Sequence, residues 1–359
     1  MAERDDAPSG VMQGAMISLI EKIRAGNNLS AFDVQEAAAF LLSDSIEAKT
    51  KADFLTALHD KGESASEIAS FVRVLLERAV PLEIEEVDGP IVDVCGTGGD
   101  GIDLFNVSTA ITFVLAAGGA TVVKHGNRGV TSRSGSADVL EALGVAIDLE
   151  PDDLRECIKR LGCGFVFART YHPAFRALAE MRLRLARRQQ RTIFNLLGPL
   201  LNPARPKRQL IGVFSPHLTM LFADVLRQLD CERAWIVSGT AVDSLTMDDV
   251  STIGPTAVAE VNFGKITSAV LDTRWLGIPQ ATLPELTGGD AKTNAETIMR
   301  ILAGGETGPK HDLVIANAAA GFVVSGLASE MNAGIAMARE QIESGRALEK
   351  LKGLQNYAP

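Results

Sequence analysis

The stretch Val92-Asp93-Val94-Cys95-Gly96-Thr97-Gly98-Gly99-Asp100-Gly101, continued by Asn106-Val107-Ser108-Thr109, decides how this chain folds. An apolar, β-branched run enters four glycines in six residues, and a helix then starts whose first turn offers Asn, Ser and Thr. Glycine has no Cβ, so backbone N–H groups can close on an anion, and the free N–H groups and positive dipole end of the helix add to them. The loop lacks the Gly-Lys-Ser/Thr ending of a Walker A loop, and Gly96-x-Gly98-Gly99 does not have dinucleotide-loop spacing. By itself it leaves two readings open, a phosphate cradle or a tight strand-to-helix turn without ligand.

A second segment decides between them. Lys124-His125-Gly126-Asn127-Arg128-Gly129-Val130-Thr131-Ser132-Arg133-Ser134-Gly135-Ser136 packs three cations and four hydroxyls into thirteen residues after another expected strand. Two polar, glycine-bearing loops after successive strands bring anion-binding groups to one sheet edge, where open α/β sheets bind ligands.

Outward from these loops, short β-rich runs at 91–95, 120–124, 164–167, 210–214 and 234–238 alternate with helix-length segments. The fold class expected is α/β with a mostly parallel central sheet. Before residue 80 the chain reads as helices instead. Ser30 can cap one, and Ser64-x-x-Glu67 is a capping box ahead of Ile68, Phe71, Val72, Leu75 and Leu76, with Pro81 as the expected stop. The result is a small N-terminal helical domain plus a larger α/β domain. Charge-free runs at 104–123 and 313–329 read as helix, turn and strand, and as a buried helix on the sheet, rather than as membrane spans.

With 359 residues, 46% apolar and 22% charged, the composition is that of an ordinary globular chain. The net charge of −10 leaves no global basic footprint for nucleic acid, and the acidic start Met1-Ala-Glu-Arg-Asp-Asp does not resemble a signal peptide, so a cytoplasmic protein without membrane or nucleic-acid partners is expected. Cys95, Cys157, Cys163 and Cys231 show neither a C-x-x-C pair nor zinc-ligand spacing. Read as a helix, 178–191 puts Arg184, Arg187, Arg188 and Arg191 on one solvated stripe and Arg182 on the opposite, apolar side among Leu178, Ala179, Leu185 and Ala186. An Arg there wants a buried carboxylate, either an internal Asp or Glu or a ligand's.

Gly96-Thr-Gly-Gly-Asp100, Asn106-Val-Ser-Thr109, Lys124-His-Gly-Asn-Arg128, Ser134-Gly-Ser-Ala-Asp-Val-Leu-Glu-Ala-Leu-Gly144, Tyr171-His-Pro173 and Arg191-Thr-Ile-Phe-Asn-Leu-Leu-Gly-Pro199, continuing to Asn202-Pro203, together resemble the anthranilate phosphoribosyltransferase family. The resemblance spans most of the chain. It implies the nucleoside-phosphorylase-like transferase fold, with a helical domain at 1–85 joined by helices from about 174–200, an α/β domain at 86–359, and a homodimer formed through the helical part. It implies transfer of phosphoribosyl from 5-phosphoribosyl-1-pyrophosphate (PRPP) to the amine of anthranilate, in tryptophan biosynthesis.

Carried over by motif, the PRPP contacts are Gly96, Gly99, Asp100, Asn106, Val107, Ser108, Thr109, Lys124, His125, Gly126, Asn127, Arg128, Gly129, Val130, Thr131, Ser132 and Ser136. Anthranilate is expected at Gly96, Asn127 and Arg182, near His125 and His172, and magnesium, two ions per subunit, at Ser108, Asp248 and Asp249, with Asp243 a rival ligand. Lys124 and Arg128 are expected to stabilise charge on the phosphates, and no residue is assigned as general base. The chain departs from the family pattern in having Asp248-Asp249 for Asp-Glu, Val237-Ser238-Gly239 for Val-His-Gly, Leu104 for Thr, and a few extra residues around 187–190. Two other functions fit the same features less fully: a pyrimidine nucleoside phosphorylase, and a non-catalytic relative binding nucleic acid through its Arg stripe.

Overall fold

Chain contacts group Met1–Val80 with His172–Leu201 in one unit and Pro81–Tyr171 with Asn202–Pro359 in another. The computed structural model describes residues 9–129, 133–178, 181, 184–185, 188, 190–242 and 245–358.

The first unit is built on helices α1 (Ser9–Arg24), α2 (Ala31–Leu42), α3 (Ala48–Lys61) and α4 (Ala65–Leu76), with α1 packed on α3 and α2 on α4. Met16, Ile23, Phe54, Leu55, Leu58, Ile68 and Phe71 form its interior. Both expected starts are present. The Ser30 hydroxyl accepts the Asp33 N–H while Asp33 takes the Ser30 N–H at 2.7 Å, and Ser64 and Glu67 do the same. The stop is different from the one expected. Helix α4 closes at Leu76, where the chain tightens into i→i+3 bonds from Arg78 to Leu75 and from Ala79 to Leu76, well before Pro81. In the returning segment Leu178 and Leu185 are buried while Arg184, Arg188 and Arg191 are exposed; Arg188 sits in a turn and Arg191 is non-helical, so one helix does not run on through Arg191. Arg182 and Arg187 lie outside the described residues.

The second unit carries strands β1 (Ile91–Gly96), β2 (Thr121–Gly126), β3 (Cys163–Phe167), β4 (Arg208–Gly212), β5 (Arg233–Thr240), β6 (Thr246–Met247), β7 (Thr256–Asn262) and β8 (Lys265–Leu271). They form one sheet in the order β3-β2-β1-β4-β5-β7-β8, with β6 on β5. The five expected strands are all found and pair in parallel. The three that sequence reading missed, β6, β7 and β8, run antiparallel to their neighbours, so the sheet is mixed at one edge. Every residue of β3 and the first five of β2 are buried, the pattern of strands covered on both faces.

The longer helices of the unit are α5 (Val107–Ala117), α6 (Ser136–Ala142), α7 (Pro151–Leu161), α8 (His217–Gln228), α9 (Ala291–Leu302), α10 (Pro309–Ser325), α11 (Met331–Glu343) and α12 (Arg346–Gln355). The run 104–123 contains α5, a Gly118-Gly119 turn and the start of β2. Helix α10 is buried from Leu313 through Ser325 and packs on α5, β1, β4 and β5. Among the described residues no helix is long and apolar enough to cross a membrane.

Among the described residues, Glu67 is the one charged residue of the helical unit with no exposure. Its Oε1 accepts the Leu29 N–H at 2.8 Å, and its Oε2 accepts Lys61 Nζ and the Ser64 N–H, each at 2.8 Å. Burial opposes its ionisation, but these donors outweigh burial and hold its carboxyl below the ordinary range. Its contribution is therefore present above the unfolded carboxyl value of about 4.3 and is lost as pH falls through the lowered folded value. Glu67→Gln is expected to cost about 3 kcal/mol at pH 7, because Lys61 keeps its charge in a buried place without a carboxylate. Urea unfolding at pH 7 and at about pH 3 checks this: the loss shrinks at low pH if the charge is its source, and equal losses at both would show that it is not.

Candidate active site

In the sheet, β1, β2 and β3 step outward on one side while β4 and β5 step outward on the other, so the connection order reverses between β1 and β4. Open α/β sheets bind ligands at the carboxyl ends of strands at such a point. Here the three central strands all reach glycine at that edge. Gly96 of β1 pairs in register with Gly212 of β4, and Gly239 lies near the end of β5. A Cβ on Gly96 would collide with the Asp248 carboxylate, one on Gly212 with the Asp248 backbone carbonyl, and one on Gly239 would come to 2.5 Å from the Asp249 carbonyl. The segment carrying Asp248-Asp249 thus lies directly on the strand ends.

The glycine loop closes over this segment. Gly98 donates its N–H to Asp248 Oδ2 at 2.8 Å, and Thr97 bonds back to the β4 end, N–H to the Gly212 carbonyl at 2.9 Å. Gly98, Gly99 and Gly101 all take positive φ, of 65°, 72° and 74°, which side chains with a Cβ adopt only with strain. Asp100 joins Asp248 by a side-chain hydrogen bond, with Asp249 close enough to feel both charges. Burial first, and then the neighbouring carboxylates, push Asp100 up to about 7 and Asp249 well above the carboxylate range; burial also raises Asp248, against the Gly98 N–H and the Lys124 charge.

Three acids held this way repel one another, and a divalent cation would relieve that repulsion. Among the described residues no three Asp, Glu, His or Cys side chains are arranged to enclose a metal ion alone. Magnesium suits such an open site, because it binds through one or two carboxylates and completes its shell with water and substrate phosphates.

Lys124, expected at the phosphates, is buried on β2. Its Nζ donates to the Val94 carbonyl at 2.7 Å and to Ser108 Oγ at 3.0 Å, so it stands at the first turn of α5. Asp93 faces it electrostatically from within β1, accepts the His125 N–H at 3.1 Å and is clamped by Asn202 Nδ2 at 2.9 Å. Burial raises Asp93 to about 6, against the Lys124 charge and the Asn202 bond. Burial also pushes the Cys95 thiol up to about 12, assisted by Asp93 and Asp248, which makes it a poor nucleophile.

The second loop is folded on its own acids. Asp138 of α6 accepts the N–H groups of Gly129 and Gly135, at 2.9 and 2.8 Å. The Arg128 guanidinium is held by Asp138 at 3.0 Å and by Glu141, and lies over the Phe167 ring. Arg128, expected at a phosphate, is therefore already paired with carboxylates. Gly126 is packed so tightly that a Cβ would collide with Ser136 Oγ, and Asn127 Oδ1 accepts the Arg128 N–H at 2.8 Å. Val107 and Thr109 are buried in the first turn of α5, the Thr109 hydroxyl without a partner among the described residues. His172 donates its Nε2–H to the Leu201 carbonyl at 2.7 Å and stacks on Phe175, and burial lowers its pKa. Val130, Thr131, Ser132, Arg182 and Asp243 lie outside the described residues.

Sequence reading missed the residues that hold this edge together. Asn317 of α10 accepts the Val250 N–H at 2.8 Å and donates to the Val250 carbonyl at 2.9 Å, fixing the backbone next to the acid pair. Its signal was a single amide in the charge-free run 313–329. Asp93 between Val92 and Val94, an acid in a buried strand, was another.

The family description "Glycosyl transferase family, helical bundle domain" matches residues 17–79, and "Glycosyl transferase family, a/b domain" matches 88–348. Fold and site thus define a two-domain glycosyltransferase. The anthranilate phosphoribosyltransferase of Acetivibrio thermocellus is 45% identical over 332 residues, covering 92% of this chain and 93% of its own. The crystal structure of the Thermus thermophilus enzyme of that name is 39% identical with a TM-score of 0.85, over 94% of this chain and 98% of its own. That of Saccharomyces cerevisiae in complex with PRPP and Mg is 26% identical with a TM-score of 0.84, over 95% and 97%. The chain belongs to the anthranilate phosphoribosyltransferase family.

The glycine edge predicts a contrast. In Gly212→Ala the new methyl meets backbone, which must shift, and thermal unfolding is expected to show a loss of about 3 kcal/mol or more. In Gly96→Ala it meets a carboxylate that can swing aside, and the loss is expected to stay below about 1.5 kcal/mol. Equal losses would contradict this geometry.

Proposed function

We propose that the chain transfers the 5-phosphoribosyl group of PRPP to the amine of anthranilate, giving N-(5-phosphoribosyl)anthranilate and pyrophosphate, a step of tryptophan biosynthesis carried out in the cytoplasm. The observation that carries the reading is the three-carboxylate cluster with Lys124 and Ser108 beside it, at the switch point where the glycine loop begins.

The bond from ribose C1 to pyrophosphate breaks with its electron pair going to the leaving group, the anthranilate nitrogen forms the new bond to C1, and the amine then loses a proton. Negative charge grows on the pyrophosphate and positive charge on the ring, so the protein has to supply donors at one end and nothing basic in the ring's path. Backbone N–H groups of the 96–101 loop and the start of α5, with Asn106, Ser108 and the 124–136 loop, hold the phosphates. Lys124 sets the positive charge at that end, already oriented by Val94 and Ser108. Arg128 acts by shaping its loop through Asp138 and Glu141, and reaches a phosphate only by exchanging those partners. Ser108, Asp248 and Asp249 would hold magnesium, expected at two ions per subunit; bound there it supplies positive charge against the departing pyrophosphate. Arg182 takes the anthranilate carboxylate, with Gly96, Asn127, His125 and His172 completing the acceptor site. An arylamine needs no strong base to attack, so positioning supplies most of the acceleration. The working domains are the helical one, at 1–85 with 174–200, and the α/β one at 86–359, and the helical one joins two copies in a homodimer.

The test is the loss of anthranilate fluorescence with PRPP and magnesium, in the native chain, Arg182→Ala and Asp249→Ala. Magnesium-dependent turnover is expected, with kcat/KM falling about 100-fold in each variant; Arg182→Ala acts on anthranilate and Asp249→Ala on the magnesium requirement. PRPP binding without turnover would mean another acceptor, and phosphate-dependent release of thymine from thymidine would mean a phosphorylase. A sedimentation mass near one chain, 38.1 kDa, would overturn the homodimer.

A further inference from the structure

Asn294, on the first turn of α9, is almost fully enclosed, at 1% exposure. It lies 188 residues from Asn106 and 160 from Ser134, yet its side chain meets both. Nδ2 donates to Asn106 Oδ1 at 3.0 Å and to Ser134 Oγ at 2.9 Å, and Ser134 Oγ in turn bonds Asn106 Oδ1 at 3.2 Å. On its other side Asn294 Oδ1 accepts the backbone N–H of Gly289 at 2.8 Å.

That last bond fixes the sense of the whole chain of bonds. A backbone N–H can only donate, so the atom it meets on Asn294 must be the oxygen, and the atom facing Asn106 must be the nitrogen. Asn106 must then turn its oxygen toward Asn294 and Ser134. What it has left to offer is its NH2 group, whose bond to the Ser134 carbonyl is long, at 3.4 Å. The Gly289 end is itself anchored. Thr287 bridges to Leu104, Gly288 donates to the Asp103 carbonyl at 2.7 Å, and a Cβ on Gly288 would come within 2.6 Å of the Phe105 nitrogen. The segment 287–294 therefore docks on the chain just before α5 and sets the orientation of the Asn106 amide there.

We infer that Asn294 is a positioning residue for the phosphoribosyl donor, holding the Asn106 carboxamide with its NH2 group directed at phosphate oxygens, which can only accept. The inference rests on the reading above that Asn106 contacts PRPP. Without Asn294, the Asn106 amide can present its carbonyl oxygen, which repels a phosphate.

Asn294→Asp replaces the donor by an acceptor of the same shape and would turn Asn106 round, because an NH2 group now satisfies it best. Steady-state kinetics should show KM for PRPP raised about tenfold or more, KM for anthranilate little changed, and a melting temperature within a few degrees of native (a charge-assisted hydrogen bond sets this scale). Asn106→Ala should raise KM for PRPP by itself, and Asn294→Asp should add little in that background, since its route to the substrate is gone. If Asn106→Ala is damaging but Asn294→Asp remains fully additive with it, or raises both KM values equally along with a fall in melting temperature, Asn294 is only structural and the inference fails. If Asn106→Ala leaves KM for PRPP at the native value, it is the assignment of Asn106 to the substrate that fails, and the inference with it.

Discussion

The site depends on a steric allowance at the strand ends. Three adjacent parallel strands reach glycine at or next to their ends, at the edge where the sheet's connections reverse, and the Asp248-Asp249 segment lies on them in space that any Cβ would fill. This close approach lets the Gly98 N–H reach the Asp248 carboxylate and brings Asp100 against it. A side chain at Gly212 or Gly239 would push the backbone of the acidic segment outward, and one at Gly96 would turn the Asp248 carboxylate away from the Gly98 N–H.

A second constraint follows from crowding so much buried and half-buried charge at that edge. Asp93, Asp100, Asp248 and Asp249 lie in surroundings that penalise ionisation, and the chain answers with specific partners. Lys124 is fixed by the Val94 carbonyl and Ser108, Asp93 by His125 and Asn202, and the acid pair's backbone by Asn317. The cluster remains short of positive charge. Such a deficit suits a divalent ion, which binds through one or two carboxylates and completes its shell elsewhere.

Much of this architecture was legible along the chain. Both helix starts in the first unit followed from Ser30 and from Ser64 with Glu67, because capping is local chemistry within four residues. The five parallel strands were visible as apolar runs, being buried on both faces. The hairpin of β7 and β8 was not: β8 is an exposed edge strand, and its turn, Phe263 and Gly264 at φ of 44° and 81°, offers only one glycine as a signal. Continuation of a helix through Arg191 failed for a similar reason, since the arginine stripe reported solvent exposure, which turns share with helices.

By itself the sequence determined the fold class, the glycine-rich loop after β1 and, through its ordered motifs, the family; these depend on local propensity, glycine spacing and burial period, all carried by neighbours along the chain. Only the tertiary structure decided which groups meet. That Gly212 and Gly239 lie under Asp248 and Asp249, that Arg128 is occupied by Asp138 and Glu141, and that an amide at Asn294 orients one at Asn106 are facts about residues from ten to nearly two hundred positions apart. No periodicity records such pairings, because they arise where the sheet's strand order and the packing of helices bring distant segments to one edge.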